Sequence, residues 1–151
     1  MGVKMPPIEK IHEAYSAIAD GRITIKEEEA EVVSSDLSKI YVVRWKDGIY
    51  SSNDNASYWK GYAGYPIIAV LMLQKKLSLD KEIADYFKGI AWKQLNTKHK
   101  NKFAEAVKEI MDGFLTEGID CDKINKEIQK VYQEIEELTI STKRSALRPP
   151  K

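Results

Sequence analysis

Seven consecutive residues without a polar member constrain this chain more than any other feature: residues 67–73 read IIAVLML. A helix made of them is apolar all round, and such a helix is stable only when enclosed on every side. Pro66 stands in what would be its first turn, where a missing N–H costs nothing. The expectation is a central, buried helix over residues 66–76. Enclosing it takes a sizeable chain. At 151 residues, folding buries roughly 68–70% of the surface that the unfolded chain exposes, which suffices for one core without covalent staples.

Cysteine usage agrees. Cys121 is the only cysteine, so no disulfide forms within the chain and a zinc site of several thiolates is excluded. A cytoplasmic location is expected. The first residues, MGVKMPPIEKIHEAY, lack the apolar stretch of a signal peptide, and the 67–73 run is far short of a membrane span of about 20 residues. No membrane partner is expected. The sequon Asn55-Ala56-Ser57 matters only in a secreted protein and carries no weight here.

Ahead of the apolar run the chain alternates between helix and strand signals. Ile8, Ile11, Tyr15 and Ile18 follow helical spacing after Pro6-Pro7, with Gly21 placed as a left-handed cap, so a first helix is predicted over about residues 7–20. Strands are predicted at residues 22–26 (RITIK), 31–34 and 40–45 (IYVVRW). Asp47-Gly48 suits a two-residue type I′ turn. That turn sets Lys46 opposite Ile49 and Trp45 opposite Tyr50.

After the run the signals are helical. Residues 80–87 predict a short helix ended by Gly89. Phe103, Ala104, Val107, Ile110, Met111, Phe114 and Leu115 form one stripe ended by Gly118. Cys121, Ile124, Ile128, Val131, Ile135 and Leu138 are spaced 3, 4, 3, 4 and 3 apart, the spacing of a coiled-coil seam. Ile124, Ile128, Val131 and Ile135 are therefore candidate partner-binding residues, for a protein partner's helix or a second copy in a homodimer. The fold class is α+β: an N-terminal helix, a small antiparallel sheet with a hairpin, a buried central helix and C-terminal helices packed around it. Residues 1–138 form one domain, with a hairpin part over 14–77 and a helical part over 78–138; residues 139–151 form a mobile basic tail.

The hairpin part resembles a SWIM zinc finger. In that family a hairpin strand runs into CxC, then a loop, then CxH opening an apolar helix. Here VVSS, KIYVVRW, the Asp47-Gly48 turn, YSS, a loop and PIIAVLML follow the same order. Ser52 and Asp54 align with the first two cysteines, Gly64 and Pro66 with the third cysteine and the histidine. Gly64 and Pro66 offer no side-chain donor, so neither a metal nor another cofactor is expected. Packing by Tyr58, Trp59, Tyr62 and Tyr65 is expected to close the loop instead, with stacking on bases as a second role for these rings. The resemblance implies a non-catalytic adaptor in nucleic-acid transactions such as recombination, repair or chromatin remodelling. A protein-interaction subunit using the 121–138 stripe is the alternative.

Charge distribution supports the first reading. Residues 37–108 carry 13 Lys/Arg against 6 Asp/Glu, whereas residues 1–36 carry 4 against 8, and a basic segment suits an anionic partner. Within it, LNTKHKNKF is expected to open the Phe103 helix with Asn96 or Thr97 as cap. Lys98, Lys100 and Lys102 then crowd the positive end of the helix dipole, where a phosphate would be welcome. Arg44, Lys46 and Lys60 make a second patch. Catalysis is not expected: His12 and His99 have no evident nucleophilic partner, no glycine-rich phosphate loop occurs, and Glu27-Glu28-Glu29 suits a solvated turn.

Overall fold

The computed structural model describes residues 4–151; residues 1–3 of the expected domain lie outside that range. Helix α1 spans Lys10–Ala19. It ends in a Schellman motif: Gly21 N–H donates to Ile18 O and Arg22 N–H to Ala17 O, both at 3.0 Å, with Gly21 at φ +66°. Four antiparallel strands follow in order, β1 (Ile23–Ile25), β2 (Glu29–Val33), β3 (Ile40–Lys46) and β4 (Ile49–Ser52). Both turn residues of the β3–β4 hairpin have positive φ, 54° at Asp47 and 76° at Gly48. The pairs Lys46–Ile49 and Trp45–Tyr50 form as the turn type requires, and the two rings stack at 6.0 Å.

A five-residue π-helical turn, Ala56–Lys60, leads to α2 at Tyr65–Leu73. Helix α2 is sandwiched: β3 and β4 lie against one side and α1 against the other. Ile67, Ile68, Val70, Leu71 and Met72 are at most 1% exposed, which is what an all-apolar helix demands. Leu73 differs from the expectation. It sits in the last turn and is 36% exposed.

Three short to medium helices, α3 (Lys81–Tyr86), α4 (Trp92–Lys98) and α5 (Phe103–Thr116), precede the long α6 (Cys121–Glu137). Asp80 caps α3 through Ile83 N–H, and Asp120 caps α6 through Lys123 N–H. Helix α5 is half-buried along Phe103, Val107, Ile110, Met111 and Phe114, whereas Ala104 and Leu115 face solvent.

The stripe on α6 calls for a correction. Ile124, Ile128, Val131 and Ile135 are all within the core, at most 5% exposed, beneath α1 and α5 of the same chain. No partner helix can reach them in the folded chain, so the partner-binding and homodimer reading of this seam fails. The heptad-like spacing reflects internal packing.

The tail also departs from expectation. Residues Ser141–Thr142 form β5, which pairs in parallel with β4 and covers that edge of the sheet. Ser141 N–H donates to Gly48 O and Lys143 N–H to Tyr50 O, each at 3.0 Å. Further on, buried Asn53 donates to Arg148 O at 3.1 Å while accepting from Val42 N–H at 2.7 Å. The tail is held at two points rather than free. Among the described residues, no helix is long and apolar enough to cross a membrane.

Candidate nucleic-acid interface and an adjoining cleft

The loop between β4 and α2 is closed by a carboxylate. Asp54, 5% exposed, accepts from Ser52 Oγ at 2.5 Å on Oδ1 and from Ser57 N–H at 3.0 Å on Oδ2. Ser57 Oγ in turn accepts from Gly64 N–H at 2.9 Å. Three of the positions aligned with metal ligands, Ser52, Asp54 and Gly64, therefore meet at one point. A Cβ on Gly64 would collide with Asp54 Oδ2. This donor set does not fit zinc: one carboxylate and hydroxyls replace the four nitrogen or sulfur donors of a structural site. Among the described residues, no group of three or more His, Cys, Asp or Glu is placed to hold a metal ion.

This knot fixes the aromatic loop, and its rings divide into two kinds. Tyr62 is buried, and Tyr65 is half-buried, edge-on to Tyr41 at 6.5 Å. Trp59 is 62% exposed, edge-on to Tyr58 at 4.7 Å. The pinned tail lays the Arg144 guanidinium over both rings, 5.0 Å from Tyr58 and 5.8 Å from Trp59. A groove of about 290 Å³ runs between them, lined by Tyr58, Trp59, Lys60, Thr142, Lys143 and Arg144. Three cations and two rings thus share one surface. Only Lys60 of the three is a candidate from sequence; Lys143 and Arg144 escape because nothing local predicts that the tail is held.

The helix-start lysines are placed differently from expectation. Residues 92–98 form α4, and α5 begins only at Phe103 with Lys102 as its cap residue. Lys98 is therefore at the carbonyl end of a helix, where a cation is favoured. Its Nζ donates to Glu109 Oε1 at 2.8 Å, with His99 Nε2 3.0 Å from the same oxygen. These hydrogen bonds hold the Glu109 carboxyl below its ordinary range. The predicted clash with the α5 dipole does not exist at Lys98. Lys100 and Asn101 both adopt left-handed backbone, φ 55° and 62°, in the turn between α4 and α5. On the sheet, Arg44 pairs with Glu29 at 3.3 Å, and exposed Lys46 lies two residues along the same face of β3. Neither lines a groove with Lys60.

Lys60 and Trp59 also border a second cleft, of about 600 Å³, between α1, the aromatic loop and the α4–α5 turn. Lys10 and Glu13 line it; both are 7% exposed, and their charged atoms lie 3.1 Å apart. The Lys10 ammonium also sits 4.0 Å from the centre of the Phe103 ring. Burial pushes the Glu13 carboxyl above its ordinary range, opposed by the Lys10 charge and hydrogen bond. Burial likewise raises the Tyr41, Tyr62 and Tyr65 hydroxyls, keeping them neutral donors. A side lobe of about 190 Å³ continues from Glu13, Tyr41, Tyr65 and Asn96 towards Ser34 and Lys93. The one sequence signal for this cleft is the i, i+3 spacing that puts Lys10 and Glu13 on one side of α1. The two histidines stand elsewhere: His12 is buried against Phe87, and His99 is on α4's end beside Glu109.

Fold and sites together define an α+β protein whose hairpin and apolar helix are joined through a buried, hydrogen-bonded carboxylate, with a basic aromatic groove beside a deeper polar cleft. The chain belongs to the family described as uncharacterised conserved protein UCP014422, whose model matches residues 3–141. That match takes in every element as far as the start of β5, including Trp59, Lys10 and Glu13. No curated protein and no solved structure matches the chain.

Proposed function

We propose that the protein is a non-catalytic nucleic-acid-binding adaptor, built on a metal-free counterpart of the SWIM frame. The observation that carries this reading is Trp59: a large ring, 62% exposed, steadied by Arg144 and flanked by Lys60 and Lys143. A stacking surface beside backbone-tracking cations is the arrangement by which single strands are bound with little sequence preference. The convergence of Ser52, Asp54 and Gly64 supports the frame itself, since it puts residues distant in sequence where the resemblance aligns ligands.

The proposed interface excludes Lys98 and Arg44, whose charges are already paired with Glu109 and Glu29. It consists of Lys60, Lys143 and Arg144 around Trp59, with exposed Lys100 and Lys102 next in sequence to Asn101 and Phe103 of the neighbouring cleft's lining. The test is fluorescence anisotropy of a labelled single-stranded oligonucleotide at low salt. Loss of one stacked base is worth about 1–3 kcal/mol, so Trp59→Ala is expected to weaken binding roughly 5- to 150-fold. Undiminished affinity in that variant contradicts the reading.

A further inference from the structure

We propose that the cleft between α1, the aromatic loop and the α4–α5 turn receives an unstacked guanine base, whose Watson–Crick edge is read by the Lys10–Glu13 pair. This rests on the nucleic-acid reading above and names what the second site takes. The cleft adjoins the Trp59 surface directly, because Trp59 and Lys60 line both. A strand stacked on Trp59 therefore has a neighbouring base within reach of it.

The chemistry of the pair favours guanine. The Lys10 ammonium has three donors, and among the described residues its one hydrogen-bonding partner is Glu13 Oε2. Glu13 Oε1 has only a 3.5 Å contact from Asn96 Nδ2, at the outer limit of a hydrogen bond. Two nearly dry groups that line the same cleft thus keep a free donor and a weakly used acceptor. Guanine offers the complement on one edge: an acceptor at O6 and adjacent donors at N1 and N2. A carboxylate can accept from both donors while an ammonium donates to O6. Adenine, cytosine and thymine each present a single donor group there and leave part of the carboxylate unanswered. Phe103, Tyr62 and Trp59 supply aromatic walls, the setting in which splayed-out bases are held and hydrogen-bonded on their edges. The left-handed Lys100 and Asn101 form the turn at the opposite rim, with Asn101 on the lining; strained backbone of this kind gathers at ligand-clamping sites.

The experiment compares a labelled dT10 oligonucleotide with the same strand carrying one central dG, on the full chain, by anisotropy at one fixed salt concentration. Wild type is expected to prefer the dG strand by roughly 5- to 150-fold, the range for a good bidentate base contact. Glu13→Gln, which keeps the shape but loses the second acceptor, is expected to abolish that preference. Thr97→Phe, at an exposed position on the cleft's lining, is expected to do the same without touching the core. Equal affinity of wild type for both strands, or a dG preference retained in Thr97→Phe, overturns the guanine site while leaving the nucleic-acid reading in place. Failure of wild type to bind either strand overturns the reading on which it rests.

Discussion

Asp54 Oδ2 occupies the space that any side chain at residue 64 would need, so the aspartate and Gly64 are complementary in a strict steric sense. The glycine's backbone, φ −70° and ψ 175°, suits any residue; the Asp54 carboxylate, with Ser57 Oγ beside it, forbids one. Gly64→Ala is therefore expected to cost about 1–3 kcal/mol, as overpacking does, in urea unfolding. Gly113, inside α5 with nothing within 4 Å of its would-be Cβ, is the control. Gly113→Ala should stabilise by about 0.5–1 kcal/mol.

The same knot predicts indifference to chelators. Because Asp54 closes the loop through Ser52 Oγ and Ser57 N–H, EDTA should leave the thermal midpoint unchanged, whereas Asp54→Ala should lower it by several degrees through the unsatisfied groups left behind. A chelator-induced fall in wild type would show that a metal, not the carboxylate, holds the loop.

Burial of the α6 stripe makes a distinction that oligomer measurements can read. Ile128→Ala should cost about 2–5 kcal/mol, as should Leu71→Ala in α2, because both side chains sit in the common core. Ile128→Glu should unfold the chain rather than convert a dimer to a folded monomer, checked by circular dichroism alongside light scattering.

His12 gives a pH dependence with a defined sign. Burial lowers its pKa to about 4 from 6.5, only partly countered by the nearby backbone of Glu9 and Ile8. Its Nδ1 is buried without a partner. Above pH 6.5 the imidazole is neutral in folded and unfolded chains alike. As pH falls from 6.5 towards 4, the unfolded chain takes up the proton first, so stability is lost across that window, on the order of 3 kcal/mol. His12→Phe should flatten this part of the profile; the difference between variant and wild type in urea unfolding at pH 7 and pH 4.5 isolates it from the other titrating groups.

Features fixed by local chemistry were legible in the sequence. The Asp47-Gly48 turn determined the hairpin register down to the Trp45–Tyr50 pair, and the absence of any polar face on α2 determined its central place. What escaped depended on distant partners. Helix α4 has no capping side chain at Ala91, and the turn after it is made by left-handed Lys100 and Asn101 without a glycine, so the α4–α5 break carried no punctuation. The path of the tail depends on the open edge of β4 and on Asn53. Lys10 and Glu13 look like surface charges until Phe103 and the aromatic loop close over them. Leu73 and Leu115 fit apolar stripes yet face solvent, because a stripe says which side is apolar and not how far the cover extends.

The most direct measurement is the salt dependence of single-strand binding by wild type and by the Lys60→Ala, Lys143→Ala double variant. Removing one phosphate-neutralising cation should lower the magnitude of the slope of log K against log salt by about 0.7 for a single strand. Because both side chains are at least partly exposed and have no ion-pair partner among the described residues, folding stability should not change. The expected result is steep, salt-sensitive binding by wild type and a slope about 1.4 shallower in the variant. Salt-insensitive binding by wild type, or identical slopes for the two proteins, would contradict a nucleic-acid interface at Trp59.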